Sequence, residues 1–121
     1  METGRIEAIW IKRFKQGPMD AVQQAEMVKG RGLVGNANQG GRRQITIIDA
    51  AVWEQVMAEL DIRIDPSARR ANIIVRGIEL ADSRKQILQL GECRVKIFNR
   101  GEREVIQGGT VRVGEVAHWE K

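Results

Sequence analysis

The chain opens on an alternation. From Arg5 to Ile11, Ile6, Ala8 and Trp10 take every second place, and the run closes on Lys12, Arg13 and Lys15. Period two predicts a strand with those side chains on its half-buried face. Gly17-Pro18 punctuates it as a turn. Ala21–Val28 fits a polar strand and a short helix equally. Gln44–Ile48 is compact and β-branched, and reads as a strand. The period then changes. Asp49 has the chemistry of a helix N-cap. Val52, Trp53, Val56, Met57 and Leu60 recur at helical spacing, which predicts a helix running to Leu60 with that stripe in the core. Asp65-Pro66 is a second start signal, with proline at the first helical position. That helix is short and ends near Arg70, because Asn72–Arg76 reads as strand. Ile87–Leu90, Arg94–Phe98, Thr110–Val113 and Val116–Trp119 follow as short strands. Gly91, Gly101, Gly108-Gly109 and Gly114 mark turns at the spacing of a barrel or sandwich. Helices are too few for alternating βαβ units. The expected fold is mostly β, a closed or partly open barrel with one clear helix and one short helix. A length of 121 residues suits a single domain over 1–121.

The densest chemistry lies between Gly30 and Ile48, GRGLVGNANQGGRRQITII. Five glycines fall within its first twelve residues. Glycine lets a backbone approach a ligand closely, and successive turn amides can form an anion-binding nest. Arg42 and Arg43 then set two always-charged forks at the mouth of the following strand. Charge agrees with this. Residues 1–48 hold eight Lys/Arg against four Asp/Glu, and residues 49–121 hold twelve of each, so the whole +4 excess sits in the half with the glycine loop. A field of that sign concentrates anionic ligands.

Other chemistries find little support. With three Trp, two Phe and no Tyr, stacking platforms are scarce, and no nucleic-acid-binding signature appears, so nucleic acid is not the expected partner. His118 is the sole histidine and Cys93 the sole cysteine, too few for a zinc site. No Walker or GxSxG run occurs. Gly30, Gly32 and Gly35 have GxGxxG spacing, but a strand rather than a helix follows them, against a dinucleotide fold. A lone cysteine, charges that interrupt every apolar run near the N-terminus and the lack of a membrane-length apolar stretch together predict a cytoplasmic protein away from membranes. Cys93 stands between Glu92 and Arg94, so no one-sided field lowers its pKa. The default is a structural thiol, with a reactive role as the weak candidate.

The order of these blocks resembles the MOSC domain family, the module at the C-terminus of molybdenum cofactor sulfurases that also occurs as small stand-alone proteins. The resemblance rests on GRIEAIWI, the glycine loop, DPSARRANIIVRGIELADSR, LGECRVKI and EVIQGGTVRVGEVAHWE, which keep the family's order over nearly the whole chain. It implies a β-barrel with short helices that binds the pterin-based molybdenum cofactor or a related anion, and sulfur-carrier chemistry. Gly32, Gly35 and Asn36 match the family's glycine-acid/amide segment, where relatives often carry Asp in place of Asn36. Arg43 matches the arginine at the head of the next strand, where it could grip a phosphate with two N–H bonds. Arg42 is its neighbour. Arg70 and Asn72 stand where a short helix passes into a strand, and Asn72 either fixes the loop or contacts the ligand. The family's chemistry leans on a cysteine in a loop after the strand matching Arg94–Phe98. Here the chain runs through FNRGEREVIQGG, and that loop is absent.

Two functions follow. One is a small MOSC-like module that binds molybdenum cofactor or a related anionic or sulfurated ligand for a molybdoenzyme or cysteine desulfurase, without its own catalytic cysteine. The other is a non-catalytic barrel acting through homodimerisation or protein contact. Whether the chain is an enzyme stays open, with Cys93 the only thiol that could carry a persulfide.

Overall fold

Strand β1 (Gly4–Lys12) organises the fold because it has three partners. Along one edge it pairs with β6 (Ile73–Arg76). Along the other it pairs first with β11 (Val116–Trp119) and then with β2 (Met19–Val22). The computed structural model describes residues 3–15, 17–61, 71–81, 83–98 and 101–120. The short helix expected over 65–70, with Arg70, lies outside the described residues.

The larger sheet runs in the order β5 (Ile47–Asp49), β6, β1, β11, β7 (Ile87–Leu90), β8 (Cys93–Ile97), β9 (Arg103–Gln107), with β2 also on β1. Its pairs are antiparallel except β5–β6. A smaller sheet holds β10 (Gly109–Arg112), β3 (Gln24–Val28) and β4 (Gly32–Leu33). The chain passes from one sheet to the other at Gln23 and again at Gly108. At Gly108, β9 enters β10 so close to β3 that a Cβ there would collide with the Met27 carbonyl oxygen. Only glycine fits there. The sheets curl over one core into a partly open barrel, and strand makes up 48% of the described residues.

Ile6, Ile9, Met27, Leu33, Ile73, Val75, Leu88, Leu90, Val95, Val105 and Val111 are buried in that core. Each such side chain contributes about 1.5–3 kcal/mol by leaving water. Ala21–Val28 resolves into the end of β2 and all of β3, with Ala25 and Met27 facing inward.

Three expectations are corrected. The inward face of β1 is Ile6, Ile9 and Ile11, while Ala8 and Trp10 are half-buried. A register shift between Ile6 and Ala8 adds one residue against β6, and one residue moves every later side chain to the opposite face. The strand expected over Gln44–Ile48 is Ile47–Asp49, because Gln44 engages β9 through its side chain, as described below. The stripe of the helix is not core. Helix α1 (Ala50–Glu59), the one helix among the described residues, buries only Ala50. Val52, Val56 and Leu60 are 54%, 40% and 59% exposed, with Trp53 and Met57 half-buried. The helix connects the parallel strands β5 and β6 at the sheet's end, where strand side chains already fill the barrel interior.

Asp49 caps α1 as expected, accepting from the N–H groups of Ala51 (2.9 Å) and Val52 (3.4 Å). Arg76 bridges Glu7 on β1 and Glu54 on α1 and so ties helix to sheet.

Candidate functional site

The glycine loop is held from beneath by two asparagines. Asn36 Oδ1 accepts from the Lys12 N–H at 2.9 Å and from Asn72 Nδ2 at 3.1 Å. Asn72 Nδ2 also donates to the Trp10 carbonyl at 3.0 Å, and Asn72 Oδ1 accepts from the Thr46 N–H at 3.1 Å. Both residues are buried. Their amides therefore tie the loop to β1 and to the entry of β5. Gln39 staples the loop's turn, donating through Nε2 to the carbonyls of Leu33 and Asn36.

Gln44 performs the same service on the other flank. Its Oε1 accepts from the Val105 N–H at 3.0 Å and its Nε2 donates to the Gly41 carbonyl at 2.8 Å. Gly32 permits this packing. Its φ is +124°, and a Cβ would stand 2.6 Å from the Gln44 carbonyl oxygen. Gly35 lies beside the Arg13 guanidinium, which is paired with Asp20 at 3.1 Å.

The two loop arginines part. Arg43 forms an isolated bridge with Arg103 on β9, whereas Arg42 belongs to the turn just before it. Arg43 lines a hollow of about 350 Å³ with Lys15, Asn38, Gln39 and Gly40. Arg42 turns away onto the ring of Phe98, 4.4 Å from its centroid, in a separate hollow of about 270 Å³ shared with Arg84 and Lys85. Neither Lys15 nor Arg43 forms an ion pair among the described residues. The Gly40 N–H already donates to the Arg31 carbonyl at 2.8 Å, so the hollow offers charged side chains rather than that amide.

Cys93 lies inside the core at the start of β8 and is fully buried. Burial pushes its thiol up to about 12, and the carboxylates of Glu92, Glu115 and Glu26 add to the effect. A thiol in that state is neither nucleophile nor metal ligand near neutral pH. No group of three or more His, Cys, Asp or Glu is arranged to hold a metal among the described residues.

Lys15 and Phe98 of these hollows, and Arg103 beside Arg43, had not been marked as site residues in the sequence. Lys15 belongs to the basic run that ends β1, which was visible as charge. Phe98 closes the segment after β8 and had no signal beyond its ring. Arg103 sits in a stretch with too few apolar positions to read as strand.

The likeness to solved structures extends over nearly the whole chain. The YuaD protein from Bacillus subtilis superposes with a TM-score of 0.81 at 16% identity, covering 95% of this chain and 94% of that one. YiiM from Escherichia coli superposes with a TM-score of 0.67 at 13% identity, covering 97% of this chain and 70% of that one. Both are MOSC-fold proteins. The fold is MOSC-like. A structure titled only as a hypothetical protein superposes on the MOSC-like chain with a TM-score of 0.69 at 14% identity, over 93% of this chain and 67% of that one. No family model matches the sequence, and no curated protein matches it. No helix of the described residues is long and apolar enough to cross a membrane.

Proposed function

We propose that this chain is a MOSC-like binding module that seats a phosphate-bearing anion of the molybdopterin class in the hollow between Lys15 and Arg43. The observation that carries this reading is the pair itself: two cations from distant parts of the chain converge on one hollow, and neither forms an ion pair among the described residues. A guanidinium grips a phosphate through two parallel N–H bonds, and an ammonium adds a point charge beside it. Asn36, Asn72 and Gln44 contribute by holding the loop in place beforehand, which spares a ligand the cost of ordering it.

The donor set fits the phosphate arm of molybdenum cofactor and not its metal. Cys93 is the chain's only thiol, and it is sealed in the core. The proposed role is therefore binding and handing on to a molybdoenzyme or cysteine desulfurase, with no sulfur-transfer step on this chain.

Thermal-shift and native mass spectrometry of the whole chain test the reading, with pyrophosphate and anaerobic molybdopterin as probes. Both probes are expected to raise the melting temperature. Arg43→Ala and Lys15→Ala should remove the shift, while Arg42→Ala keeps it. A chain that forms a dimer and responds to neither probe overturns the reading in favour of the interaction barrel.

A further inference from the structure

Helix α1 turns its apolar stripe toward a cavity of about 490 Å³, within the size range of small-molecule sites. Val52, Trp53, Val56 and Met57 line one wall of it, and Arg103 of β9 lines another. Arg103 is the anomaly. Its Nε is sealed from solvent and has no acceptor. Its guanidinium forms no ion pair among the described residues. Burial lowers its hold on the proton, with no neighbouring carboxylate acting in the other direction. A guanidinium stays charged even so, and a buried charge without a partner is costly.

Among the described residues two carboxylates also line the cavity, on Asp49 and Glu79. Asp49 is engaged by the first amides of α1, Glu79 has an interaction of its own, and neither pairs with Arg103. A single carboxylate balances the one charge of Arg103 and matches its planar fork.

We propose that this cavity binds an apolar monocarboxylate, with the carboxylate on Arg103 and the body against the exposed stripe of α1. The site shares no lining residue with the Lys15–Arg43 hollow, so the two readings stand or fall separately.

The test titrates the whole chain with octanoate, octanol and octylamine, followed by calorimetry and tryptophan fluorescence. Octanoate should bind more tightly than octylamine by about tenfold or more, the size of one hydrogen bond to a charged group. Arg103→Met should bring octanoate down to the level of octanol without lowering the melting temperature, because it removes an unpaired charge and keeps the side chain's bulk. Trp53→Phe should diminish the fluorescence response and leave the calorimetric binding in place. Arg43→Ala should leave octanoate binding unchanged. Should Arg103→Met not fold, Val56→Glu at the exposed rim takes its place, and is expected to abolish octanoate binding. Equal binding of octanoate and octylamine overturns the proposal. So does octanoate binding that survives Arg103→Met or Val56→Glu, or a Trp53 response that tracks only the pairing of two copies through α1.

Discussion

Asn72 donates a 3.1 Å hydrogen bond to Asn36 Oδ1 across 36 residues of sequence, and the pair joins the glycine loop to the strand that follows α1. The two amides are not equivalent. Asn36 mainly accepts: its one donation, to the Asn38 carbonyl, is long at 3.4 Å. Asn72 must both donate and accept. Asn36→Asp therefore keeps the two strong bonds and costs only the burial of its charge, whereas Asn72→Asp adds to that same cost a carboxylate oxygen set against the Trp10 carbonyl and should lose about 1–3 kcal/mol more. Urea unfolding of the two variants checks the difference, and equal losses would contradict the assigned roles.

Gln44 is the second hinge of the loop. Gln44→Leu keeps the bulk but leaves the buried Val105 N–H and the Gly41 carbonyl without their partner. The expected loss is about 1–3 kcal/mol, dominated by the sealed amide. Gln44→Glu retains the acceptor for Val105 and should restore part of that loss at neutral pH. Hydrogen exchange at the Val105 amide reads the bond directly: it should be slow in the native chain and faster in Gln44→Leu.

How far the sequence disclosed this structure depended on whether neighbours intervened. β7, β8 and β11 were legible because their apolar residues alternate without interruption between glycine turns. The inward face of β1 was not, since an added residue against β6 appears only when the strands are paired. β9 was missed because Arg103, Glu104 and Gln107 are polar and Val105 is its only buried residue. The stripe of α1 was visible, but a stripe does not tell whether another layer lies opposite it. At the site, adjacency of Arg42 and Arg43 suggested one shared ligand. The turn that ends at Arg42 sends the two to different hollows, and Lys15 becomes the companion of Arg43.

Cys93 gives a prediction in pH. Its thiol keeps its proton in the folded chain up to about 12, against an ordinary value of 9.0. As pH rises between those values the unfolded chain releases the proton and the folded chain holds it. The unfolded state then binds fewer protons, so stability falls as pH rises. Between pH 9 and 12 the melting temperature of the native chain should therefore drop more steeply than that of Cys93→Ala. Below that window the two curves should run parallel. A disulfide reagent at about pH 8 should label Cys93 only at the rate of unfolding, because the folded thiol is both protonated and enclosed. Rapid labelling of the native chain would contradict its burial.

Two glycines separate steric closeness from backbone strain. At Gly114 φ is +93° and a Cβ would meet nothing within 4 Å, so Gly114→Ala should cost only the left-handed penalty of about 1–2 kcal/mol. Gly108 is different: its φ lies outside the positive range, but its added Cβ would press on main chain at the crossing from β9 to β10. Main chain cannot rotate away as a long side chain can. Gly108→Ala must spread β3 from the crossing and disturb the packing of Met27 and Val111 beneath it. A loss of about 1–3 kcal/mol is expected from overpacking, together with a structural change that Gly114→Ala lacks. Hydrogen exchange distinguishes them. Gly108→Ala should speed exchange along the β10–β3 pairing, whose register runs from Gly109↔Met27 to Arg112↔Gln24, while Gly114→Ala should leave those amides protected in proportion to global stability alone. Equal protection in both variants would mean that the crossing has room to give.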